Sequence, residues 1–189
     1  MLPIAPRPRP ARGRFITFEG TEGSGKSTQV PLLVDRLREL GHPVRLVREP
    51  GGTPIGEEIR HTLQHSRQNQ NMTPEAELLL INASRAQLIR EVIKPALAAG
   101  EIVVCDRFYD STIAYQGFGR GLDLETVREV IRFATGGLCP DLTLLLHVPV
   151  SVSEMRRSAR QQTSHPPTDR MEQAGRAFFE AVEKGYCAI

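Results

Sequence analysis

The chain has 189 residues, enough for one substantial domain whose core needs no staples. Its 24 lysines and arginines against 22 aspartates and glutamates leave a formal charge of +2, too small to imply a nucleic-acid partner. No run approaches the roughly 18 consecutive apolar residues of a membrane span, so the composition argues for a soluble protein without a membrane partner.

The three cysteines, Cys105, Cys139 and Cys187, are odd in number and form no C-x-x-C pair. They read as buried free thiols in a reducing cytoplasm. Residues 1–13 set Pro3, Pro6, Pro8 and Pro10 among Arg7, Arg9 and Arg12 and lack the apolar core of a secretory signal. That composition predicts a flexible tail in front of a single domain over 14–189.

The domain opens on an apolar run, Phe15-Ile16-Thr17-Phe18, followed at once by Gly20-Thr21-Glu22-Gly23-Ser24-Gly25-Lys26-Ser27. This is the phosphate-loop pattern G-x-x-x-x-G-K-[ST], with a strand before it and a helix after it. Glycines let successive N–H groups turn toward one anion, and the following helix adds the positive end of its dipole. Lys26 then reaches the β- and γ-phosphates of a nucleoside triphosphate, and the Ser27 hydroxyl is placed to ligate Mg²⁺.

Val30, Leu33, Val34, Leu37 and Leu40 recur at helical spacing and predict a helix from Lys26 to Leu40, stopped by Gly41. Val44 to Val47 reads as a second strand, with Arg48-Glu49-Pro50-Gly51-Gly52-Thr53 as the loop at its carboxyl end. A short helix over Ile55 to Leu63 and a polar surface loop from His65 to Met72 come next. Thr73 then caps a long helix with Pro74 in its first turn, and Pro95 bends or restarts it.

Ile102 to Cys105 is an uninterrupted apolar run closed by Asp106, as a strand covered on both faces requires, and Leu142 to Val148 is another. From Ser151 to Arg170 the pattern weakens into a lid with Arg156, Arg157 and Arg160 at helical spacing, and Gln161 to Thr168 carries no helix signal. Phe178, Phe179, Val182 and Tyr186 suggest a last amphipathic helix. Strands alternating with helices in this way predict an α/β fold, a doubly wound parallel sheet of the phosphate-loop NTPase type flanked by helices.

In such a sheet the phosphate loop, Arg48–Gly52, Asp106-Arg107 and the arginine cluster all gather at one end. Phosphoryl transfer needs cations and N–H donors on several sides of a moving anion. Asp106 is placed to orient Mg²⁺ or its waters, and the fork of Arg107 suits an acceptor phosphate.

Three segments taken together resemble the thymidylate kinase family: Glu19 to Thr28, Arg48 to Thr53, and Asp106-Arg107-Phe108-Tyr109-Asp110-Ser111-Thr112-Ile113-Ala114-Tyr115-Gln116-Gly117. The resemblance covers roughly 14–186 and implies a nucleoside monophosphate kinase that converts ATP and dTMP to ADP and dTDP. It implies that Gly20 to Thr28 hold the ATP phosphates, with Lys26 and Ser27 as above. Glu22 then lies near the deoxyribose 3′-hydroxyl, Arg107 holds the monophosphate, and Arg48 is a further phosphate contact. Arg85 reads a thymine carbonyl, Tyr115 fills the place of a 2′-hydroxyl, and Gln116 lies beside the base.

None of Thr21, Glu22, Gly23 or Ser24 is basic, so the resemblance also implies catalytic arginines from the lid, Arg156 and Arg160, followed by the family's Asp169-Arg170-Met171-Glu172 segment. A cytoplasmic homodimer is implied as well. Four departures stand out. Ile81 replaces the family's usual Phe over the base, His147 stands where Asp is common, and the lid carries extra residues around Gln161 to Pro167. The family also continues through another strand and helix beyond the position of Ile189. Two rival readings follow from Ile81 and the short carboxyl end: a related kinase with another deoxynucleotide acceptor, and a nucleotide-binding protein without transfer.

Overall fold

A computed structural model describes residues 12–164 and 174–189, apart from the side chains of Arg160, Thr163 and Ser164. Most of the N-terminal tail and the Asp169–Glu172 segment therefore lie outside the described residues. Four parallel strands form one sheet: β1 (Phe15–Glu19), β2 (Val44–Arg48), β3 (Ile102–Asp106) and β4 (Leu142–Leu145), in the order β2-β3-β1-β4.

The strands alternate side chains between two cores, as a pleat with period two demands. Ile16 and Phe18 of β1 join Ile102 and Val104 of β3 against Val30 and Val34 of α1 (Lys26–Glu39). Phe15, Val103 and Cys105 face the other way, onto Leu88, Ile89 and Ile93. The latter belong to α3 (Pro74–Leu88) and the π-helical segment Ile89–Ile93 that prolongs it. Helices cover both faces, which is the doubly wound arrangement.

Threonine caps start two of the helices. Thr53 Oγ1 accepts from Gly56 N–H at the head of α2 (Pro54–Gln64), and Thr73 Oγ1 accepts from Ala76 N–H at the head of α3. A short 3₁₀ turn, Asn69–Asn71, lies within the loop between them. Pro95 falls at the second position of α4 (Lys94–Ala98), so the long helix restarts there. Its missing N–H costs nothing in a first turn.

Several elements differ from the sequence reading. After the short α5 (Tyr109–Thr112), the Ile113–Gly119 stretch is π-helical, and α6 (Leu124–Thr135) follows, capped by Asp123. No periodicity had been read there. The helix α7 (Val150–Ser164) runs on through Gln161 and Gln162, whose helix-compatible side chains outweigh the prolines further along. β4 stops at Leu145 and forms an edge of the sheet rather than a strand covered on both faces, leaving Leu142 49% and Leu145 41% exposed. Cys105 alone of the three free thiols is buried; Cys139 and Cys187 are exposed, because neither lies on an inward face of the sheet. The last helix, α8 (Arg176–Ala188), buries Phe179, Val182 and Tyr186 as its stripe required. Among the described residues no helix is long and apolar enough to cross a membrane.

Candidate active site

The connection after β1 leaves to the α1 face, while that after β3 leads to helices on the opposite face. A crevice opens between their carboxyl ends, the usual ligand position in such sheets. There a cleft of about 1100 Å³ takes its walls from the phosphate loop, the loops after β2 and β3, the π-helical segment and α7.

The phosphate loop is shaped by backbone that only glycine accepts readily. Gly20 sits at φ 133°, where a Cβ would come within 2.4 Å of the Leu146 carbonyl oxygen, and Gly25 sits at φ 106°. The head of α1 carries no side-chain cap and no acidic residue in its first turn, so its amides and dipole end remain available to an anion. Lys26 is buried beneath them and donates to the carbonyls of Gly20 at 2.6 Å and Thr21 at 3.0 Å. Burial, then the neighbouring Arg107 charge, push its pKa down to about 7.

Arg107 is the one non-glycine residue with positive φ among the described residues, at 69°. Such a conformation costs of order 1–3 kcal/mol and persists where surrounding contacts over-determine it. Here they do: its N–H donates to Phe18 O at 2.9 Å. One terminal nitrogen donates to Gly20 O at 2.9 Å, Ser111 Oγ at 3.2 Å and Tyr186 Oη at 3.3 Å, and the other to Glu22 Oε1 at 2.8 Å. The second oxygen of Glu22 accepts from the Tyr115 hydroxyl. Burial disfavours the Glu22 carboxylate, but Arg107, Tyr115 and Lys26 outweigh it and hold its pKa below the usual value.

Beneath this layer the carboxyl of Glu19 is fully buried and accepts from Phe108 N–H at 2.8 Å, Ser111 Oγ at 2.5 Å and Tyr186 Oη at 3.2 Å. Burial raises its pKa to about 7. At the end of β3, Asp106 Oδ1 is buried with no hydrogen-bond partner although the residue lines the cleft. A hard, unpaired carboxylate oxygen in the cleft that Ser27 also lines fits a Mg²⁺ site.

Arg85, 1% exposed, reaches the cleft from α3. Its Nε donates to Glu49 Oε2 at 2.7 Å, one terminal nitrogen to Asn82 Oδ1 at 3.0 Å, and the other to Phe108 O at 3.2 Å and Thr112 Oγ1 at 3.0 Å. One N–H on the nitrogen facing Asn82 is left for a further acceptor. Ile81, Tyr115 and Gln116 line the same cleft. At the carboxyl end of β2, Arg48 is exposed and paired with Glu57 at 3.0 Å.

From α7, Arg156 donates to Gly23 O at 3.0 Å and Ser153 Oγ donates to Glu22 O at 2.7 Å, so α7 is pinned to the phosphate loop. Its neighbour Arg157 turns away and stacks over Phe179, 3.7 Å from the ring centroid. The Arg160 side chain lies outside the described residues.

A family model described as thymidylate kinase matches residues 18–189. The chain belongs to the thymidylate kinase family. The thymidylate kinase of Pseudomonas putida (strain GB-1) is 51% identical over 174 residues, covering 92% of this chain and 80% of that protein. The same name belongs to a Synechococcus relative, 51% identical over 93% of this chain and 80% of its own length. The solved structure of thymidylate kinase from Ehrlichia chaffeensis superposes with a TM-score of 0.74 at 34% identity, covering 94% of this chain and 86% of that one. A thymidylate kinase sheet and loop arrangement thus accounts for the whole set, and neither rival reading is favoured.

Within that family frame the cleft unites Glu22 to Thr28, Arg48, Arg85, Asp106, Arg107, Tyr115, Gln116 and Arg156, while Gly20 and Thr21 lie under it as acceptors for Lys26. Sequence reasoning missed Glu19, Glu49, Glu77 and Tyr186. Glu19 and Glu49 stood inside the quoted motifs, where a carboxylate among phosphate donors was a signal. Tyr186 read as one more apolar position of α8, and nothing in the local pattern marked Glu77 as buried.

Proposed function

We propose that the cleft transfers the γ-phosphoryl group of ATP to dTMP, giving ADP and dTDP. The observation that carries this reading is the meeting of two cations on one carbonyl: Lys26 Nζ and Arg107 both donate to Gly20 O, at 2.6 Å and 2.9 Å. A lysine that serves the donor phosphates and an arginine that serves the acceptor phosphate are thereby held side by side. Transfer by positioning and charge stabilisation needs that arrangement.

The amides of Gly23 to Thr28 and Lys26 hold the triphosphate, and Arg156 adds positive charge from the lid. Arg107 orients the dTMP phosphate, helped by Arg48. Glu22 fixes Arg107 and faces the sugar, Tyr115 closes the side where a ribose hydroxyl would lie, and Arg85 offers its remaining N–H to a thymine carbonyl. Asp106 and Ser27 would hold Mg²⁺, which when bound neutralises charge on the phosphate oxygens. Ile81 covers the base without aromatic stacking, a contact worth about 1 kcal/mol where it is present.

We also infer a cytoplasmic homodimer. Supporting it, Leu79 on α3 is 58% exposed and Phe133 on the adjoining α6 is 85% exposed, more apolar surface than a lone helix pair gains by showing to water. Light scattering after gel filtration reads the mass directly.

The deciding assay couples ADP release to ATP, Mg²⁺ and dTMP, run beside dUMP, dCMP and dAMP. Turnover on dTMP that disappears in Lys26→Ala supports the assignment. A strong preference for dCMP or dAMP overturns it.

A further inference from the structure

Glu77 is fully buried in the first turn of α3. Arg120 grips it with two hydrogen bonds, Nε to Oε1 at 3.1 Å and a terminal nitrogen to Oε2 at 3.0 Å. The same Oε1 accepts from the side-chain Nε2 of Gln116 at 2.8 Å. Arg120 is itself stacked over Phe178, 4.6 Å from the ring centroid. The carboxylate is thus immobilised from below and presents acceptors only.

A glutamine amide has a donor end and an acceptor end, and rotation by half a turn exchanges them. A carboxylate can take only the donor end. Gln116 is 1% exposed and lines the cleft that Arg85 and Ile81 also line, and its Oε1 receives no hydrogen bond among the described residues.

We propose that Glu77 is a specificity-positioning residue: by capturing Nε2 of Gln116 it fixes Oε1 as a hydrogen-bond acceptor for the N3–H of the substrate base. This rests on the dTMP reading above and deepens it. Together with the remaining Arg85 N–H, the cleft then offers one donor for a C4 carbonyl and one acceptor for N3–H. That pair is the edge pattern of a 2,4-dioxopyrimidine. Cytosine presents the opposite pattern, an exocyclic amine and an unprotonated N3, and would leave Gln116 Oε1 facing a lone pair. Sites built on buried polar groups discriminate strongly because a mismatched partner leaves them unpaired.

The test compares kcat and KM for dTMP, dCMP and 3-methyl-dTMP, the last retaining both carbonyls but lacking the N3 proton. For the native chain, kcat/KM for 3-methyl-dTMP should fall at least 10-fold below dTMP. Equal use of the two overturns the proposal while leaving dTMP phosphorylation intact, and needs no variant. In Glu77→Gln the amide of Gln116 is free to turn, so the dTMP to dCMP ratio of kcat/KM should fall about 10-fold, chiefly through KM. A merely structural Glu77 would lower both substrates alike and keep the ratio, which also overturns the proposal. Absence of dTMP turnover in the native chain would instead sink the site reading on which it stands.

Discussion

Arg107 and Glu22 face each other at 2.8 Å across the mouth of the cleft, one from the strained turn after β3 and the other from the phosphate loop. The pair aims the guanidinium while both side chains keep 17–18% exposure. Lysine at position 107 would retain the charge but lose the fork. Arg107→Lys should raise the KM for dTMP about 10- to 100-fold, the loss expected for one or two charge-assisted hydrogen bonds of roughly 1.5–3 kcal/mol. The KM for ATP should change little. Steady-state kinetics with each substrate varied in turn will tell, and an equal rise in both would show that Arg107 serves the loop and not the acceptor.

Lys26 offers a proton readout. Burial and Arg107 lower its pKa to about 7, so in the free protein its charge fades as pH rises through that value. A bound polyphosphate favours the charged form and raises the pKa again. ATP binding at pH 8 should therefore take up close to one proton, and at pH 6 almost none. Calorimetry in buffers of different ionisation enthalpy measures this. Lys26→Arg, charged throughout, should abolish the uptake.

Glu19 gives the opposite linkage, on stability. Its pKa is raised by burial to about 7 from 4.5, so the folded protein binds more protons than the unfolded chain between those values. The contribution is complete below pH 4.5 and is lost as pH rises through 7. Relative to Glu19→Gln, which stays neutral, the native chain should lose about 3 kcal/mol of unfolding free energy over that window, at about 1.4 kcal/mol per pKa unit. Urea unfolding at a series of pH values follows it, and parallel curves would refute the assignment.

Asp106 carries the metal prediction. With Oδ1 buried and unpaired, it contributes a carboxylate that asparagine matches in shape but not in charge. Asp106→Asn should raise the half-saturating Mg²⁺ concentration about 10-fold, a penalty near 1.4 kcal/mol, while the fold survives. A Mg²⁺ titration of turnover, with chelator as the zero point, decides it.

The sequence by itself determined the parts governed by short-range geometry. The phosphate loop needs glycine at fixed turns and Lys-Ser beside the helix head, so Gly20 to Ser27 were legible from spacing alone. The same holds for the Thr73 cap, the restart at Pro95 and the apolar strands β1 and β3, because caps, ring constraints and pleat alternation act within a few residues. The resemblance to thymidylate kinases then put forward Arg85, Tyr115, Gln116 and Arg156 as candidates, and all four line the cleft.

Tertiary structure decided what depends on distant neighbours. Cys139 and Cys187 proved exposed and β4 an edge, since burial is set by what packs against a strand and not by its own apolarity. Glu19 and Tyr186 meet at 3.2 Å across 167 residues of chain, and Glu77 finds Gln116 and Arg120 about forty residues on. Each of these carboxyls reads as an ordinary charge in its own segment. Only the closed core, which removes water and leaves a single set of donors within reach, gives them their partners and their roles.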